Sequence, residues 1–264
     1  MKSNHVRHKL AAGQASVGTW LALPDVVAAR LMTSSGFDWL TVELEHSPSS
    51  FETAAACFAV IAESGTVPLV RVPWNTIENI KRVLDIGAWG VVVPMVNSRA
   101  EAEAAISAIR YQPLGQRSVG GNMHAANFGT DTATYYARAN DEILAVVMIE
   151  TVKAVAAADE ILAVPGVDVV FIGPNDLTNS MGKAPSFESD DQDFVDALDH
   201  VLAMAKKHGV TPGIHVPSAE AAKRRLDQGF RFIAIASEAG FMLSKAQEVT
   251  QFLGLAKDAA TATY

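Results

Sequence analysis

Short, almost continuously apolar runs alternate with longer amphipathic segments along the whole chain. The runs are rich in Val, Ile, Leu and Ala and rarely alternate with polar residues, which is typical of strands buried on both faces of a parallel sheet. Eight such runs occur, at 15–20, 38–44, 67–72, 89–96, 143–150, 167–173, 210–216 and 231–237. The segments between them show helical spacing, and several end in glycine, which favours a left-handed helix C-cap.

Eight strands, each followed by a helix, predict an α/β protein with a single (β/α)8 TIM-barrel domain over residues 1–264. The alternative is a doubly wound open sheet, which usually stops at five or six strands. Two connections are longer than turns, namely residues 111–142 and residues 175–193. Long connections in compact domains are commonly functional or mobile.

Composition narrows the class of protein. An apolar content of 49% supports a large core, and 21 Lys and Arg against 29 Asp and Glu give a net charge of −8. Because such a surface repels phosphate groups, neither nucleic acid nor a membrane is expected as a partner. The single cysteine, Cys57, excludes an intrachain disulfide and is predicted to be a core residue of a helix. With no signal-like or membrane-spanning apolar segment, a cytoplasmic protein is expected.

Polar residues stand where the apolar strands end, which is where a TIM barrel forms its active site. These residues are Glu43, Glu45 and His46 after the second strand, Arg71 after the third, Glu150 after the fifth, Gly173, Pro174, Asn175 and Asp176 after the sixth, His215 in the seventh, and Ser237 and Glu238 at the eighth. We expect these side chains to converge on one polar pocket, because burying a charge without partners is costly.

Glu150 and Asp176 follow neighbouring strands and offer oxygen ligands for a hard divalent cation such as Mg²⁺ or Mn²⁺. The alternative is that both are helix N-caps, with Asp176 capping a helix that begins at Leu177. Position alone does not separate these two interpretations. No Cys or His spacing supports zinc.

Arg71 could present a bidentate fork to a carboxylate or phosphate, or could form a structural ion pair with an acid at the barrel rim. His46 is the best-placed candidate for a general acid or base. Asp85, near the end of a helix, could orient a histidine, although a solvated acid is the simpler interpretation. For His124 exposure is favoured over a place in the pocket, and for His215 a core role and a catalytic role are equally supported.

These residues, in this order, resemble the HpcH/HpaI aldolase family of class II, metal-dependent pyruvate aldolases. The resemblance covers nearly the whole chain. Its separated motifs are Glu-His at 45–46, Arg-Val-Pro at 71–73, Ile-Glu-Thr at 149–151 and Gly-Pro-x-Asp-Leu at 173–177.

The resemblance implies that Glu150 and Asp176 ligate a divalent cation, Mg²⁺, Mn²⁺ or Co²⁺, and that Arg71 lies beside a bound 2-oxo acid. It further implies that His46 is a base with Asp85 as its partner.

The same resemblance assigns the substrate contacts. Backbone N–H groups at Asn175 and Asp176, in the turn that begins at Gly173 and Pro174, would hold the substrate carboxylate. Trp20 is similar to the aromatic residue that lines the family's pyruvate pocket.

The activity implied by the resemblance is reversible cleavage of a 4-hydroxy-2-oxo acid to pyruvate, or a close 2-oxo acid, and an aldehyde through a metal-stabilised enolate. A Schiff-base lysine is not required, and no Lys stands at a predicted strand end. The alternatives are an oxaloacetate decarboxylase or a citrate-synthase-like lyase on the same scaffold, or a barrel retained for binding or assembly. The family is typically hexameric, a trimer of dimers, with the last helix exchanged between subunits.

Four positions depart from the family pattern, which has Asp, Gly, Gln and Gly where this chain has Glu43, Leu44, Met148 and Ser118. These departures leave the aldehyde partner open.

Overall fold

The eight apolar runs are eight strands, which pair in parallel and in chain order around a closed barrel. The computed structural model describes residues 1–255. The strands are β1 Ser16–Leu21, β2 Trp39–Glu43, β3 Val67–Arg71, β4 Gly90–Val93, β5 Leu144–Ile149, β6 Val169–Ile172, β7 Thr211–Val216 and β8 Phe232–Ser237. Pairing of β8 with β1 closes the ring, which confirms the predicted (β/α)8 barrel.

Helices lie outside the barrel and connect successive strands. Within residues 1–255 they are α1 His5–Ala11, α2 Val26–Met32, α3 Phe51–Ser64, α4 Ile77–Asp85, α5 Arg99–Ile109, α6 Met123–Asn127, α7 Thr132–Glu142, α8 Val152–Ala156, α9 Ala158–Leu162, α10 Pro174–Ser180, α11 Gln192–His208, α12 Ala219–Gln228 and α13 Glu238–Phe252. Hydroxyl side chains start many of them; Ser50 and Thr76, for example, each accept a hydrogen bond from a backbone N–H three residues later. None of these helices has the length and apolar character needed to cross a membrane.

The two long connections contain more secondary structure than the sequence pattern indicates. Residues 111–142 hold the short helix α6 and the whole of α7, and residues 175–193 hold most of α10 and the first two residues of α11. The pattern missed α7 because its sequence is polar, with apolar residues too few to mark a helical face.

Cys57 lies in α3 and is only 2% exposed. Burial raises the pKa of its thiol to about 11, so the group is protonated and unreactive at neutral pH. The prediction of a core cysteine is confirmed.

A buried polar network closes the end of the barrel at which the strands begin. The side chain of Asn4 donates hydrogen bonds to the backbone carbonyls of Trp89 and Glu142, at 3.0 and 2.9 Å. The carboxylate of Glu142, 1% exposed, accepts a hydrogen bond from the backbone N–H of Asn4 at 2.7 Å. This network fixes the start of α1 against the end of the barrel at which the strands begin.

The indole of Trp39 crosses β1 to reach β8, and this crossing requires a glycine in β1. Trp39 pairs in register with Gly18, and its ring stacks on Phe232 with centroids 4.3 Å apart. A Cβ at Gly18 would lie 2.1 Å from the Trp39 ring and 2.4 Å from its carbonyl oxygen. The stacking of Trp39 on Phe232 across β1 therefore requires that position 18 has no side chain.

We predict that Gly18→Ala lowers the free energy of unfolding by about 2–3 kcal/mol, because the added methyl group has no space and the backbone must shift. Urea denaturation followed by circular dichroism measures this change. Gly120→Ala is the matched control, since a Cβ there meets nothing within 4 Å. Equal stability of the two variants would contradict the role of Gly18.

Candidate active site

A cavity of about 180 Å³ lies where the strands end. Its lining combines charged, polar and aromatic side chains from strands on all sides of the barrel. The lining residues are Trp20, His46, Arg71, Met148, Glu150, Phe171, Gly173, Pro174, Asn175, Asp176, Phe187 and His215. The residues predicted to bind metal or substrate or to act in catalysis all line this cavity, except Asp85. Four of the polar residues expected to converge on one pocket are not among the lining residues, namely Glu43, Glu45, Ser237 and Glu238.

Arg71 ends β3 beside Glu43, which ends β2, and the two residues are register partners. The Nε of Arg71 donates to Oε2 of Glu43 at 2.7 Å, while Oε1 of Glu43 accepts from the backbone N–H groups of Glu45 and His46. The structural ion pair considered for Arg71 therefore exists. It fixes both the guanidinium and the chain that carries His46.

The outer nitrogens of Arg71 remain available to a ligand. Within residues 1–255, their one hydrogen-bonding contact is from Nη1 to the weak acceptor Sδ of Met148, at 4.0 Å. The guanidinium also lies 4.7 Å from the centre of the Trp20 ring. Arg71 is thus anchored through Nε and presents its remaining N–H groups to the cavity.

Glu150 follows β5 and is held by an unusual backbone conformation. Its Oε1 accepts a hydrogen bond from the N–H of Met95 at 2.7 Å, and Met95 has a φ of 55°, which is uncommon for a residue other than glycine. The N-cap of the next helix is Thr151, so Glu150 does not cap it. The backbone of Met95 thus directs its N–H group at the carboxylate of Glu150, which is only 2% exposed.

Asp176 lies in the first turn of α10, which begins after Gly173 without a side-chain cap. The N-cap interpretation is therefore wrong for Asp176 as it is for Glu150. A Cβ at Gly173 would lie 2.5 Å from Oε2 of Glu150, so only glycine lets this helix start against that carboxylate. The N–H groups of Asn175 and Asp176 belong to the first turn, where amides have no acceptor within the helix.

Glu45 is a member of the site that sequence reasoning placed at the strand end but did not assign. Its Oε2 is buried and lies 3.2 Å from Nε of Arg71 and 3.7 Å from Nε2 of His46, with no hydrogen-bond donor among the described residues. Burial raises the pKa of Glu45 to about 7, helped by repulsion from Glu43 and Asp176 and opposed by Arg71. Sequence reasoning could not distinguish Glu45 from Glu43, because both acids stand near the end of β2 and only tertiary contacts separate them.

The pKa of Glu150 is also raised to about 7, mainly by burial and further by the negative charges of Asp176 and Glu45. The amide of Met95 and the charge of Arg71 oppose this rise. A divalent cation beside these carboxylates would relieve both the repulsion and the cost of burial.

The donor set fits a hard cation, because the acids that line the cavity, Glu150 and Asp176, offer only oxygen. Nowhere in residues 1–255 do three or more His, Cys, Asp or Glu side chains converge as a ligand set. A cation held by two carboxylates would keep coordination positions for water or for oxygens of a substrate.

His46 lines the cavity and is largely exposed, with Glu45 as its nearest acid. Asp85 does not reach it within this chain, because α4 runs back from the end of β3 toward the start of β4 and Asp85 is its last residue. There Asp85 accepts a hydrogen bond from Nη2 of Arg117 at 2.8 Å. Within residues 1–255 Asp85 and His46 make no contact, and the pairing of His46 with Asp85 that the resemblance implies stays a prediction.

His124 belongs to the same distant cluster as Asp85. Its ring is buried, with Nδ1 3.3 Å from the Asp85 carbonyl oxygen and the ring centre 4.2 Å from that of Tyr135. Burial and the charge of Arg117 lower the pKa of His124. The favoured exposure of His124 is thus wrong, since aromatic residues of α7 cover it.

Aromatic side chains from β1, β6 and the segment before α11 form part of the cavity wall. The Trp20 ring lies 5.9 Å from Phe171 and 5.7 Å from His215. Phe187, from the segment between α10 and α11, meets His215 edge-on at 4.8 Å. The cavity lining therefore combines acidic and aromatic side chains, and Arg71 contacts an acid, Glu43, as well as the ring of Trp20.

Comparison with known proteins places this geometry in a family. The family model described as HpcH/HpaI aldolase/citrate lyase matches residues 16–244. The chain belongs to this family. A relative described as 5-keto-4-deoxy-D-glucarate aldolase, from Shigella boydii, is 36% identical over 246 residues, covering 93% of this chain and 95% of the relative.

Another HpcH/HpaI relative is described as hydroxypyruvate/pyruvate aldolase, from Rhizorhabdus wittichii, and is 35% identical over 246 residues, covering 93% of this chain and 97% of the relative. The crystal structure of an HpcH/HpaI aldolase/citrate lyase family protein from Burkholderia cenocepacia has a TM-score of 0.89 at 30% identity, covering 96% of this chain and all of that one. The resemblance in the sequence is thereby confirmed, and the protein is an enzyme of an aldolase family.

The departures from the HpcH/HpaI pattern lie at different distances from the cavity. Met148 lines it, and its thioether replaces an amide beside Arg71. Glu43 and Leu44 form the connection to His46, where Leu44 is 7% exposed. Ser118 is exposed and follows Arg117, in the cluster around Asp85.

We predict that Mg²⁺ or Mn²⁺ raises the melting temperature more at about pH 8 than at about pH 5.5. A carboxyl group whose pKa is raised on folding stabilises the metal-free fold below its ordinary pKa of 4.5, and this contribution is lost as the pH rises through about 7. The cation binds the deprotonated form, so its effect grows as Glu45 and Glu150 ionise. Differential scanning fluorimetry with and without the cation measures the shift.

Glu150→Gln should abolish this pH-dependent shift, whereas Glu103→Gln, at an exposed helix position, should retain it. A cation-induced shift of equal size at both pH values in the wild type would contradict the prediction.

Proposed function

We propose that this protein is a divalent-metal-dependent aldolase that reversibly cleaves a 4-hydroxy-2-oxo acid to pyruvate, or a close 2-oxo acid, and an aldehyde. The supporting observation is that Arg71, Glu150 and Asp176 share one small cavity with His46 at its edge. The descriptions of the two relatives, which name a keto-deoxy-glucarate aldolase and a hydroxypyruvate/pyruvate aldolase, agree with this class of reaction. We also propose a cytoplasmic location, in keeping with the sequence expectations.

The cation would be held by Glu150 and Asp176, and when bound it supplies positive charge that polarises the keto group of the substrate. Every other contact is provided by the chain itself. The amides of Asn175 and Asp176 receive the substrate carboxylate at the start of α10. The outer N–H groups of Arg71 face the keto oxygen, where negative charge develops.

Proton transfer is assigned to His46. In the cleavage direction the C4 hydroxyl gives its proton to His46, directly or through water, and the C3–C4 bond breaks. The electron pair of that bond moves to C3 and the C2 oxygen, which yields the enolate of the 2-oxo acid, while C4 leaves as an aldehyde. Protonation at C3 then completes the reaction, with Arg71 stabilising the enolate until that step.

The chain offers no lysine for a Schiff base in this cavity, since none of the described residues that line it is a Lys. The aromatic wall of Trp20 and Phe171 shields the reacting carbons from water. His46, by contrast, is exposed at the mouth of the cavity, where an aldehyde can enter and leave.

We predict pyruvate release from at least one 4-hydroxy-2-oxo acid, abolished by EDTA and restored by excess Mg²⁺ or Mn²⁺. Lactate dehydrogenase coupled to NADH oxidation follows the product. Glu150→Gln and Asp176→Asn should each lower kcat/KM by at least about 100-fold, because each removes an anionic ligand. Glu103→Gln should retain wild-type activity.

Activity of Glu150→Gln equal to wild type would overturn the cation site. Pyruvate release from oxaloacetate but from no 4-hydroxy-2-oxo acid would favour the decarboxylase alternative instead.

We further propose a homo-oligomer, a hexamer built as a trimer of dimers, in which α13 is exchanged between subunits. Only the first turn of α13 contacts the barrel: Glu238 accepts hydrogen bonds from the N–H groups of Ala22 and Leu23, and Phe241 stacks on Phe37. Beyond it the helix exposes a series of large apolar side chains. These are Met242, Leu243, Val249 and Phe252, with Phe252 89% exposed. An isolated chain would leave this apolar surface in water.

We predict a solution mass six times the 28.0 kDa of the chain, measured by size-exclusion chromatography with light scattering. Met242→Glu combined with Phe252→Glu should lower that mass, because the charges oppose burial of α13. Gln247→Glu combined with Gln251→Glu adds the same charge to the same helix and should leave the mass unchanged. A monomeric wild type would contradict the proposal.

A further inference from the structure

His215 lines the cavity but has no place in the proposed chemistry. It lies on β7 between the rings of Trp20 and Phe187. Its Nε2 is 3.0 Å from the backbone carbonyl oxygen of Ala236 in β8. Since a carbonyl oxygen can only accept, Nε2 carries the ring proton and donates it to Ala236.

The backbone of β8 is irregular where it meets this histidine. Ala236 has a φ of 45°, and the pairing of β1 with β8 shifts register beyond Gly18, so that Trp20 faces Ser237. Such bulges are common beside active sites, where they redirect a group. Here the irregular residue supplies the carbonyl group that fixes the tautomer of His215.

The imidazole is neutral at neutral pH, because burial, together with the charge of Arg71 and against the hydrogen bond to Ala236, lowers the pKa of His215 to about 4. With the proton on Nε2, the second nitrogen, Nδ1, is a hydrogen-bond acceptor. Nδ1 makes no hydrogen bond within residues 1–255. The aromatic wall therefore contains one oriented acceptor.

The proposed function places a 2-oxo acid relative to this acceptor. It puts the carboxylate carbon, C1, at the amides of Asn175 and Asp176, and the C2 oxygen at the outer N–H groups of Arg71. The neighbouring rings of Trp20 and His215, which line the same cavity, are then left for C3. If C3 is a methyl group, it cannot donate a hydrogen bond to Nδ1, whereas a hydroxyl group on C3 can.

We propose that His215 selects the 2-oxo acid by accepting a hydrogen bond at Nδ1 from a hydroxyl group on C3, so that the preferred substrates are 3-hydroxy-2-oxo acids such as hydroxypyruvate. This inference rests on the proposed function, because it places the carboxylate and the keto oxygen as that function requires. A site built to pair with a hydroxyl group discriminates against the analogue that lacks it.

The test compares two nearly isosteric variants, His215→Leu and His215→Asn, of which only the second keeps an acceptor near Cβ. Isothermal titration calorimetry with excess Mg²⁺ gives the Kd of hydroxypyruvate and of pyruvate for each protein. The wild type should bind hydroxypyruvate about tenfold more tightly, the ratio that one hydrogen bond supplies. His215→Leu should bring the ratio near one, and His215→Asn should keep it within about threefold of wild type.

A parallel measurement separates this inference from the proposed function. Wild-type enzyme with Mg²⁺ in D₂O should exchange the C3 protons of pyruvate, as followed by ¹H NMR; a C3–H bond breaks, its electron pair forms the enolate, and a deuteron from solvent adds to C3. The same measurement is made with hydroxypyruvate. Absence of exchange with both pyruvate and hydroxypyruvate would overturn the proposed function, and with it this inference.

Exchange with an unchanged affinity ratio in His215→Leu would overturn the role of His215 alone. Circular dichroism checks that each variant folds. If His215→Leu does not fold, His215→Asn still decides, because loss of the hydroxypyruvate preference in that variant contradicts the inference and retention supports it.

Discussion

The electrostatic imbalance around Arg71 is the constraint on which the rest of the site depends. Its guanidinium is the one permanently cationic side chain lining the cavity among the described residues, and carboxylates surround it. Glu43 binds its Nε directly, Glu45 lies 3.2 Å away, and Glu150 and Asp176 stand across the cavity. Burial raises the pKa of Glu45 and of Glu150 to about 7, and repulsion among the carboxylates, which one positive charge cannot neutralise, adds to this rise. The proposed divalent cation would complete the balance, and its charge together with that of Arg71 would make an acidic protein receptive to an anionic 2-oxo acid.

The barrel imposes this crowding. Parallel strands in a closed ring bring all their carboxyl ends to one mouth, while the network around Asn4 and Glu142 closes the other end. Three residues with special backbone requirements then position the groups of the site. Gly173 admits a helix start against Glu150, and the left-handed residues Met95 and Ala236 aim an amide and a carbonyl at side chains of the site.

Much of this site could be predicted from position in the chain. An acid or base at the end of an apolar strand must face the barrel mouth, and for this reason Arg71, Glu150 and Asp176 were assigned correctly to one cavity. Position at a strand end gives no information about Asp85, which ends α4 and contacts Arg117. It gives none about His124 either, which the aromatic residues of a polar-looking helix bury.

The sequence by itself determined the eight strands, their parallel order and the set of polar residues at their ends, because continuous apolar runs specify burial on both faces and burial fixes the strand ends. Tertiary structure alone decided which atoms meet. It placed Glu45 beside Arg71, joined Asp85 to Arg117, and left Nδ1 of His215 as an acceptor through the carbonyl of Ala236. Such contacts join residues from different strands and helices over distances of a few ångströms, and a linear pattern of hydrophobicity carries no information at that resolution.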